Sequence, residues 1–247
     1  MKGLSAFHAL RSVDAGREDL PTALARARTH VTDERDRALA ADIVTGTLRW
    51  QRSADHLIEH FARRPLARLD TDIVIVLRLS VYQLLHLDRV PASALVDDAV
   101  DLTRGARKQS ATGFVNAILR SILRGRARLP LPPRPQDPGD RQGALAYLGI
   151  THSHPDWLVR RWVERYGFAA AERWVQFDNT PAPLTLRTNR LRIDRESLRA
   201  GLAGDGIETE PTPFAPDGLV VTEGNPLRRR ADALGAACIG LWMHGEA

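Results

Sequence analysis

Apolar residues recur at helical spacing from Leu4 to Arg124 almost without interruption, and this pattern limits the first half of the chain to a bundle of helices. The segment 71–87 is apolar on nearly all sides, which is typical of a helix surrounded by other helices. One face of an earlier helix is marked by Leu39, Ile43, Gly46 and Trp50. No stretch of this region alternates apolar and polar residues for long enough to predict a strand. We therefore predict that residues 1–128 form an all-α bundle.

Five prolines then fall between residues 129 and 139, at Pro130, Pro132, Pro133, Pro135 and Pro138. Proline removes an amide donor and disfavours the helical conformation of the residue before it. Residues 129–143 are therefore predicted to be a semi-extended linker, where a protease should cut first. Beyond it, residues 144–227 are predicted to form a small α+β region that is marginal by itself. Its helices should begin near Asp156, Phe168 and Arg195, and its strands should cover 184–188, 207–214 and 219–222.

Composition narrows the class of protein and its compartment. The single cysteine, Cys238, excludes an intrachain disulfide and a cysteine-based zinc site, which fits a reducing cytosol. The most apolar run is interrupted by Arg78 and Gln83 and is shorter than a membrane span, so we predict a cytoplasmic protein with no membrane partner. His152 and His154 lie near a helix start without a third ligand nearby, and we interpret them as capping and surface groups rather than metal ligands.

The net charge of +5 and the sequence pI of about 10.1 favour an anionic partner such as nucleic acid. Only Lys2 and Lys108 are lysines among the 35 basic residues, so arginine-rich genome composition explains part of this excess. The positions of the basic residues must therefore carry the argument.

A basic surface is predicted on and around the last helix of the bundle. Arg120 and Arg124 are four residues apart and should point away from the buried Ile118. Several arginine forks on one surface can bind the phosphates of an RNA backbone. The alternative is a solvated face without a partner. The candidate RNA-binding residues are Arg104, Arg107, Lys108, Arg120, Arg124, Arg49 and Arg52.

Three segments of the bundle carry a resemblance to a known family. They are Asp42–Trp50 (DIVTGTLRW), Leu77–Leu85 (LRLSVYQLL) leading into Arg89–Ala94 (RVPASA), and Gly113–Arg120 (GFVNAILR). Their order and spacing resemble the NusB-like domain at the front of RsmB-type (Sun/Fmu) ribosomal RNA cytosine-C5 methyltransferases. Past the linker, Ser153–Leu158 (SHPDWL) and Asp178–Asn189 (DNTPAPLTLRTN) resemble the region that joins this domain to the catalytic domain.

The resemblance implies a NusB-like fold, RNA as a partner (small-subunit ribosomal RNA) and S-adenosylmethionine as the cofactor of the full-length family. The family's cofactor loop and two catalytic cysteines do not follow Leu227; residues 228–247 form an atypical tail that suggests a frameshift or an early stop. We therefore expect no catalytic, cofactor-binding or metal residues in this chain. The favoured function is an RNA-binding module of such an enzyme. Two alternatives stay open: a NusB-type transcription antitermination or regulatory factor, and a methyltransferase completed by a second polypeptide.

Overall fold

The computed structural model describes residues 2–29, 31–87, 90–137, 139–180, 182–224, 226 and 238–242. Contacts between residues divide the chain into two compact units, residues 1–179 and residues 180–247. Each unit is described separately below.

Helices account for the first part of unit 1, as the sequence predicted. They are α1 (Lys2–Asp14), α2 (Leu20–Thr29), α3 (Glu34–Arg49), α4 (Gln51–Ala62), α5 (Thr71–His86), α6 (Ala92–Gly105) and α7 (Thr112–Arg124). Short 3-10 turns at Leu66–Arg68, Gln109–Ala111 and Arg126–Arg128 join or extend them. Asp33 caps the N-terminus of α3, because its carboxylate accepts a hydrogen bond from the backbone amide of Asp36.

Helix α5 is the centre of the bundle. Its side chains from Ile73 to Leu77 are all buried, and it contacts α3, α4, α6 and α7. Arg78 is the charged exception in this segment. Its guanidinium group donates two hydrogen bonds to Asp55 of α4, at 2.6 and 2.9 Å, and one to Asp14 of α1, at 3.2 Å. The ion pairs explain how an arginine is accommodated in an otherwise apolar helix.

The proline-rich segment after the bundle follows the surface of unit 1 in an extended conformation. The side chains of Leu129 and Leu131 pack against the bundle core. The carbonyl oxygen of Pro130 lies 2.9 Å from His56 Nε2, and Thr151 Oγ1 donates to the carbonyl oxygen of Pro132 at 2.7 Å. We call residues 129–137 the strap.

Unit 1 is completed by three further helices: α8 (Arg141–Ala146), α9 (Asp156–Tyr166) and α10 (Phe168–Asp178). A π-helical turn, Tyr147–Thr151, follows α8 directly. These elements share a second, smaller apolar core of Leu148, Val159, Ala171 and Val175. The sequence predicted α9 and α10 but gave no signal for α8 or the π-helical turn.

Unit 2 is an α+β unit. It contains strands β1 (Thr185–Thr188), β2 (Glu208–Pro211), β3 (Gly218–Glu223) and β4 (Cys238–Trp242), with helix α11 (Arg195–Gly204) between β1 and β2. The sheet has the order β2-β3-β1-β4, and its neighbouring strands are antiparallel. Leu186, Leu198, Leu202, Ile207 and Leu219 form its apolar core.

Two details of unit 2 differ from the sequence interpretation. The strand expected over 207–214 covers only Glu208–Pro211, and the chain then turns: Thr212 N donates to the carbonyl oxygen of Gly218 at 3.1 Å, where β3 begins. The atypical tail contributes β4, which pairs with β1. The domain boundaries at residues 128 and 143 stay a prediction, as does the assignment of residues 144–227 to one connecting region.

Candidate nucleic-acid interface

Arg120 and Arg124 project from the outer face of α7. Both side chains are exposed, whereas Ile118 and Ile122 on the opposite face are buried. Arg120 Nε donates to Asn116 Oδ1 at 2.8 Å, and Arg124 Nη2 donates to Ser121 Oγ at 2.9 Å. Each arginine thus uses one donor group within its own helix, and the rest of the guanidinium fork faces solvent, where a phosphate can bind.

The loop between α6 and α7 carries three further candidates. Arg104 forms an exposed ion pair with Asp101 at 2.7 Å, and Lys108 Nζ donates to Asp70 Oδ2 at 2.5 Å. The hydrogen bond from Lys108 lowers the pKa of Asp70, and the same bond raises the pKa of Lys108. Arg107 is exposed and has a left-handed backbone with φ of 62°, so its side chain leaves the loop without following the helix.

These two groups of cations lie at opposite ends of α7. Lys108 precedes the first turn of the helix and Arg124 occupies its last turn. At a rise of about 1.5 Å per residue the two ends of α7 are roughly 18 Å apart. The basic residues therefore form an extended band rather than a single pocket, a geometry suited to a backbone with repeated charges.

Arg64 adds a cation that the sequence analysis did not include. Its guanidinium carbon lies 5.0 Å from the centre of the Phe114 ring, at the start of α7. The only sequence signal was its place just after the end of α4. Contact with Phe114 depends on how α4 and α7 pack, which local patterns do not encode.

Arg49 and Arg52 have different environments although both flank Trp50. Arg49 is exposed at the end of α3. Arg52 is half-buried: its Nη1 donates to the carbonyl oxygen of His154 at 2.7 Å, and its Nη2 lies 2.6 Å from Asp156 Oδ1. Arg52 therefore connects the start of α4 to the start of α9 through both terminal nitrogens of its guanidinium group. Its assignment to RNA binding stays a prediction.

Ser153 and His154 complete this junction. Ser153 Oγ accepts the backbone amide of Arg52 at 3.0 Å, and Ser153 itself has a left-handed φ of 59°. The interpretation of His154 as a surface group was wrong: its side chain is buried, with Nε2 3.7 Å from Asp178 Oδ2. His154 is buried where its carbonyl oxygen contacts Arg52, a residue 102 positions earlier in the chain.

Among the residues that the structure describes, no group of three or more His, Cys, Asp or Glu side chains is arranged to hold a metal ion. Within the same residues, no helix has both the length and the apolar character required to cross a membrane.

Comparison with protein families identifies the two halves of the chain. Residues 4–124 match the NusB family, and residues 154–228 match the Methyltr_RsmF/B-like, ferredoxin-like domain. The chain therefore carries a NusB-family domain followed by an RsmF/B-like ferredoxin-like domain, as the motifs in the sequence had indicated.

Comparison with individual proteins agrees with this order of domains. The chain is 32% identical over 197 residues to the probable ribosomal RNA small subunit methyltransferase B of Bacillus subtilis, covering 80% of this chain and 42% of that protein. It is 31% identical over 229 residues to the ribosomal RNA small subunit methyltransferase B of Pseudomonas putida, covering 91% and 48%. The chain thus spans about half the length of these relatives and matches their N-terminal part.

A solved structure shares the fold. The crystal structure of PH0851 superposes with a TM-score of 0.62 at 19% identity, over 93% of this chain and 50% of that one. At this identity the likeness concerns the fold alone.

Proposed function

We propose that this chain is an RNA-binding module that delivers small-subunit ribosomal RNA for cytosine-C5 methylation. The observation that carries the proposal is the relationship to proteins named ribosomal RNA small subunit methyltransferase B, which extends through both domains. The ferredoxin-like domain favours this function over that of a NusB-type antitermination factor, because the relationship extends well beyond the NusB-family region.

The bundle's basic band supplies the physical means of binding. Arg107, Arg120 and Arg124 of the band are exposed, as is Arg49 at the end of α3, and their guanidinium groups can each donate to a phosphate oxygen. Contacts of this kind release condensed counterions, so they bind structured RNA with little dependence on base sequence. In this proposal the band supplies affinity and orientation.

In this proposal, methyl transfer and binding of the cofactor S-adenosylmethionine take place outside residues 1–247. Attack on a cytosine ring by the family's route requires two cysteines, and this chain has only Cys238. We propose that residues 1–247 bind RNA and that a catalytic domain outside these residues performs the chemistry.

The test of RNA binding is a titration at several salt concentrations. A transcript from small-subunit ribosomal RNA should bind, with log K falling linearly against log salt by about 0.7 to 0.9 per phosphate contact. Arg120→Ala combined with Arg124→Ala should flatten that slope by roughly one to two units without loss of helicity.

The matched control removes two exposed arginines outside the band, Arg28→Ala with Arg35→Ala, and should keep the wild-type slope. Failure of the wild-type chain to bind the transcript at low salt would overturn the proposed function. An unchanged slope in the Arg120/Arg124 variant would move the interface away from α7.

Cofactor binding and methyl transfer by this chain are tested separately. Calorimetry with S-adenosylmethionine should give no saturable heat, and the chain alone should not methylate unmodified small-subunit RNA. Saturable cofactor binding or turnover would contradict this part of the proposal.

A further inference from the structure

Helices α9 and α10 expose an unusual number of aromatic side chains. Trp157 is 66% exposed, Tyr166 59%, Phe177 51% and Trp174 42%, although large rings are normally covered in a folded protein. The core beneath them is already filled by smaller residues such as Val159 and Val175. The rings are therefore in excess of what this packing needs.

Trp162, Trp174 and Phe177 form one aromatic cluster, whereas Trp157 lies on another face of α9. Trp162 of α9 lies 6.1 Å from Trp174 of α10, and Trp174 lies 6.4 Å from Phe177 on the same helix. Trp157 stands on the outward face of α9, diametrically opposite the buried Val159 side of the helix.

Arginines lie between these rings at helical spacing. Arg160 and Arg161 follow Trp157 by three and four residues, so they share its face of α9. Arg173 precedes Trp174 and lies four residues before Phe177 on the outward face of α10. All three arginines are exposed.

Positive charge is in excess on this surface, because three of the four carboxylates of the two helices are paired with arginines. These ion pairs are Asp156 with Arg52, Glu164 with Arg141, and Glu172 with Arg134, whereas Asp178 has only His154 beside it. By contrast, Arg160, Arg161 and Arg173 form no ion pair or side-chain hydrogen bond with any residue in the described part of the chain. The surface therefore combines exposed rings with uncompensated positive charge.

We propose that the exposed surfaces of α9 and α10 bind unpaired nucleotides of RNA, with Trp157 and Trp174 stacking on bases and Arg160, Arg161 and Arg173 contacting phosphates. The inference rests on the proposed RNA-binding function and assigns it a second surface, separate from the band on α7. Stacking requires bases that are not paired, so the ligand is a loop or single strand rather than a duplex. A protein partner could pack against the same rings, but it would also have to supply acidic residues to pair with the three arginines.

The experiment uses the full chain and a single-stranded RNA of about twelve nucleotides, with a duplex of equal length for comparison. Trp157→Leu combined with Trp174→Leu keeps apolar bulk but removes the stacking rings. Affinity for the single strand should fall at least about fivefold for each ring lost, while duplex affinity stays the same. Trp157→Phe combined with Trp174→Phe should restore most of the affinity, because phenylalanine still stacks.

A charge variant and a control complete the design. Arg161→Gln with Arg173→Gln should flatten the salt dependence of single-strand binding by about one unit. Phe214→Leu removes a ring that is 95% exposed but lies in unit 2, and it should bind as the wild type does. Circular dichroism of each variant should match that of the wild type.

The outcomes separate this inference from the proposed function. If the wild-type chain binds structured RNA through α7 but the leucine variant binds the single strand with unchanged affinity, the α9–α10 inference is overturned and the proposed function stands. The wild-type chain could instead sediment as a dimer that dissociates in the leucine variant while RNA binding is unaffected. That result would assign the rings to protein association and would also overturn the α9–α10 inference. If the wild-type chain binds no RNA of any kind, both fail together.

Discussion

Gly46 determines how closely α3 can approach α5. A Cβ atom at this position would overlap the ring of Tyr82, whose hydroxyl donates to Asp42 Oδ1 at 3.2 Å. Neither helix can yield easily, because both are packed into the bundle core. The close approach of the two backbones therefore depends on a residue without a side chain.

Gly46→Ala should consequently destabilise the protein by about 1–3 kcal/mol, the usual cost of overfilling a packed site. The matched control is Gly113→Ala on α7, where nothing lies within 4 Å of the added carbon. That variant should be neutral or stabilise by up to about 1 kcal/mol, since alanine is the better helix former. Urea unfolding of the two variants measures both values. Equal stability of the two would contradict the packing argument.

His86 should make stability depend on pH. It stacks on Trp50 at 4.3 Å and on Tyr82 at 5.4 Å, and burial among these groups, with the charge of Arg126, lowers the pKa of His86 to about 4. The pKa of histidine in the unfolded chain is near 6.5. Between about pH 4 and pH 6.5 the unfolded chain is therefore protonated at His86 whereas the folded chain is not. Stability should thus fall as pH drops from about 6.5 to 4.

The comparison of wild type with His86→Gln isolates this effect. Unfolding free energies at pH 7.5 and pH 5 should differ less in the variant, because glutamine does not titrate. His86 is exposed as a residue although its ring is stacked, so the change should be small. The same pH dependence in both proteins would remove His86 as its source.

At the scale of elements, the strap shows how a segment without regular structure is fixed. Arg134 Nε and Nη2 donate to Glu172 at 2.7 and 2.8 Å, and the guanidinium carbon lies 5.1 Å from the centre of the Phe168 ring. The hydrogen bond from Arg134 lowers the pKa of Glu172. Together with the bonds to the carbonyl oxygens of Pro130 and Pro132, these contacts attach the strap at both ends.

We therefore expect the strap to resist limited proteolysis at Leu129 and Leu131, in contrast to the expectation from its prolines. Arg134→Ala combined with Thr151→Val should increase the rate of cleavage there, because two of the three polar anchors are lost and only the contact of His56 with Pro130 remains. Arg141→Ala breaks an exposed ion pair with Glu164 outside the strap and should leave the rate unchanged. Rapid cutting of the wild-type strap, identified by mass spectrometry, would show that these contacts do not hold it.

These elements also show what the sequence could predict. The apolar character of α5 and the outward direction of Arg120 and Arg124 follow from local periodicity, which depends only on near neighbours. The partners of Arg52 and Arg134 could not be foreseen, because Asp156 and Glu172 lie far along the chain. The α9–α10 surface was missed for a related reason: Trp157 and Trp174 each fit a helix pattern, and only the fold shows that both rings stay exposed.

At the scale of the whole molecule, the two compact units make a prediction about fragments. Residues 1–179 contain the bundle core and the second core of α8 to α10, joined by the Arg52 contacts and the strap. In the described part of residues 180–247 the apolar core consists of five buried residues, and a core of this size supports only a few kcal/mol of stability.

A fragment of residues 1–179 should therefore fold and unfold cooperatively, with an unfolding midpoint close to that of the first unit in the full chain. A fragment of residues 1–128 loses the packing of Leu129 and Leu131 and the partner of His56, so its midpoint should be lower. Residues 180–247 alone should show weak or no cooperative unfolding. Urea titrations followed by circular dichroism measure all three. Equal midpoints for 1–179 and 1–128 would mean that the strap and α8 to α10 add nothing to the bundle, and the division after residue 128 would then describe the folding unit better than the division after Asn179.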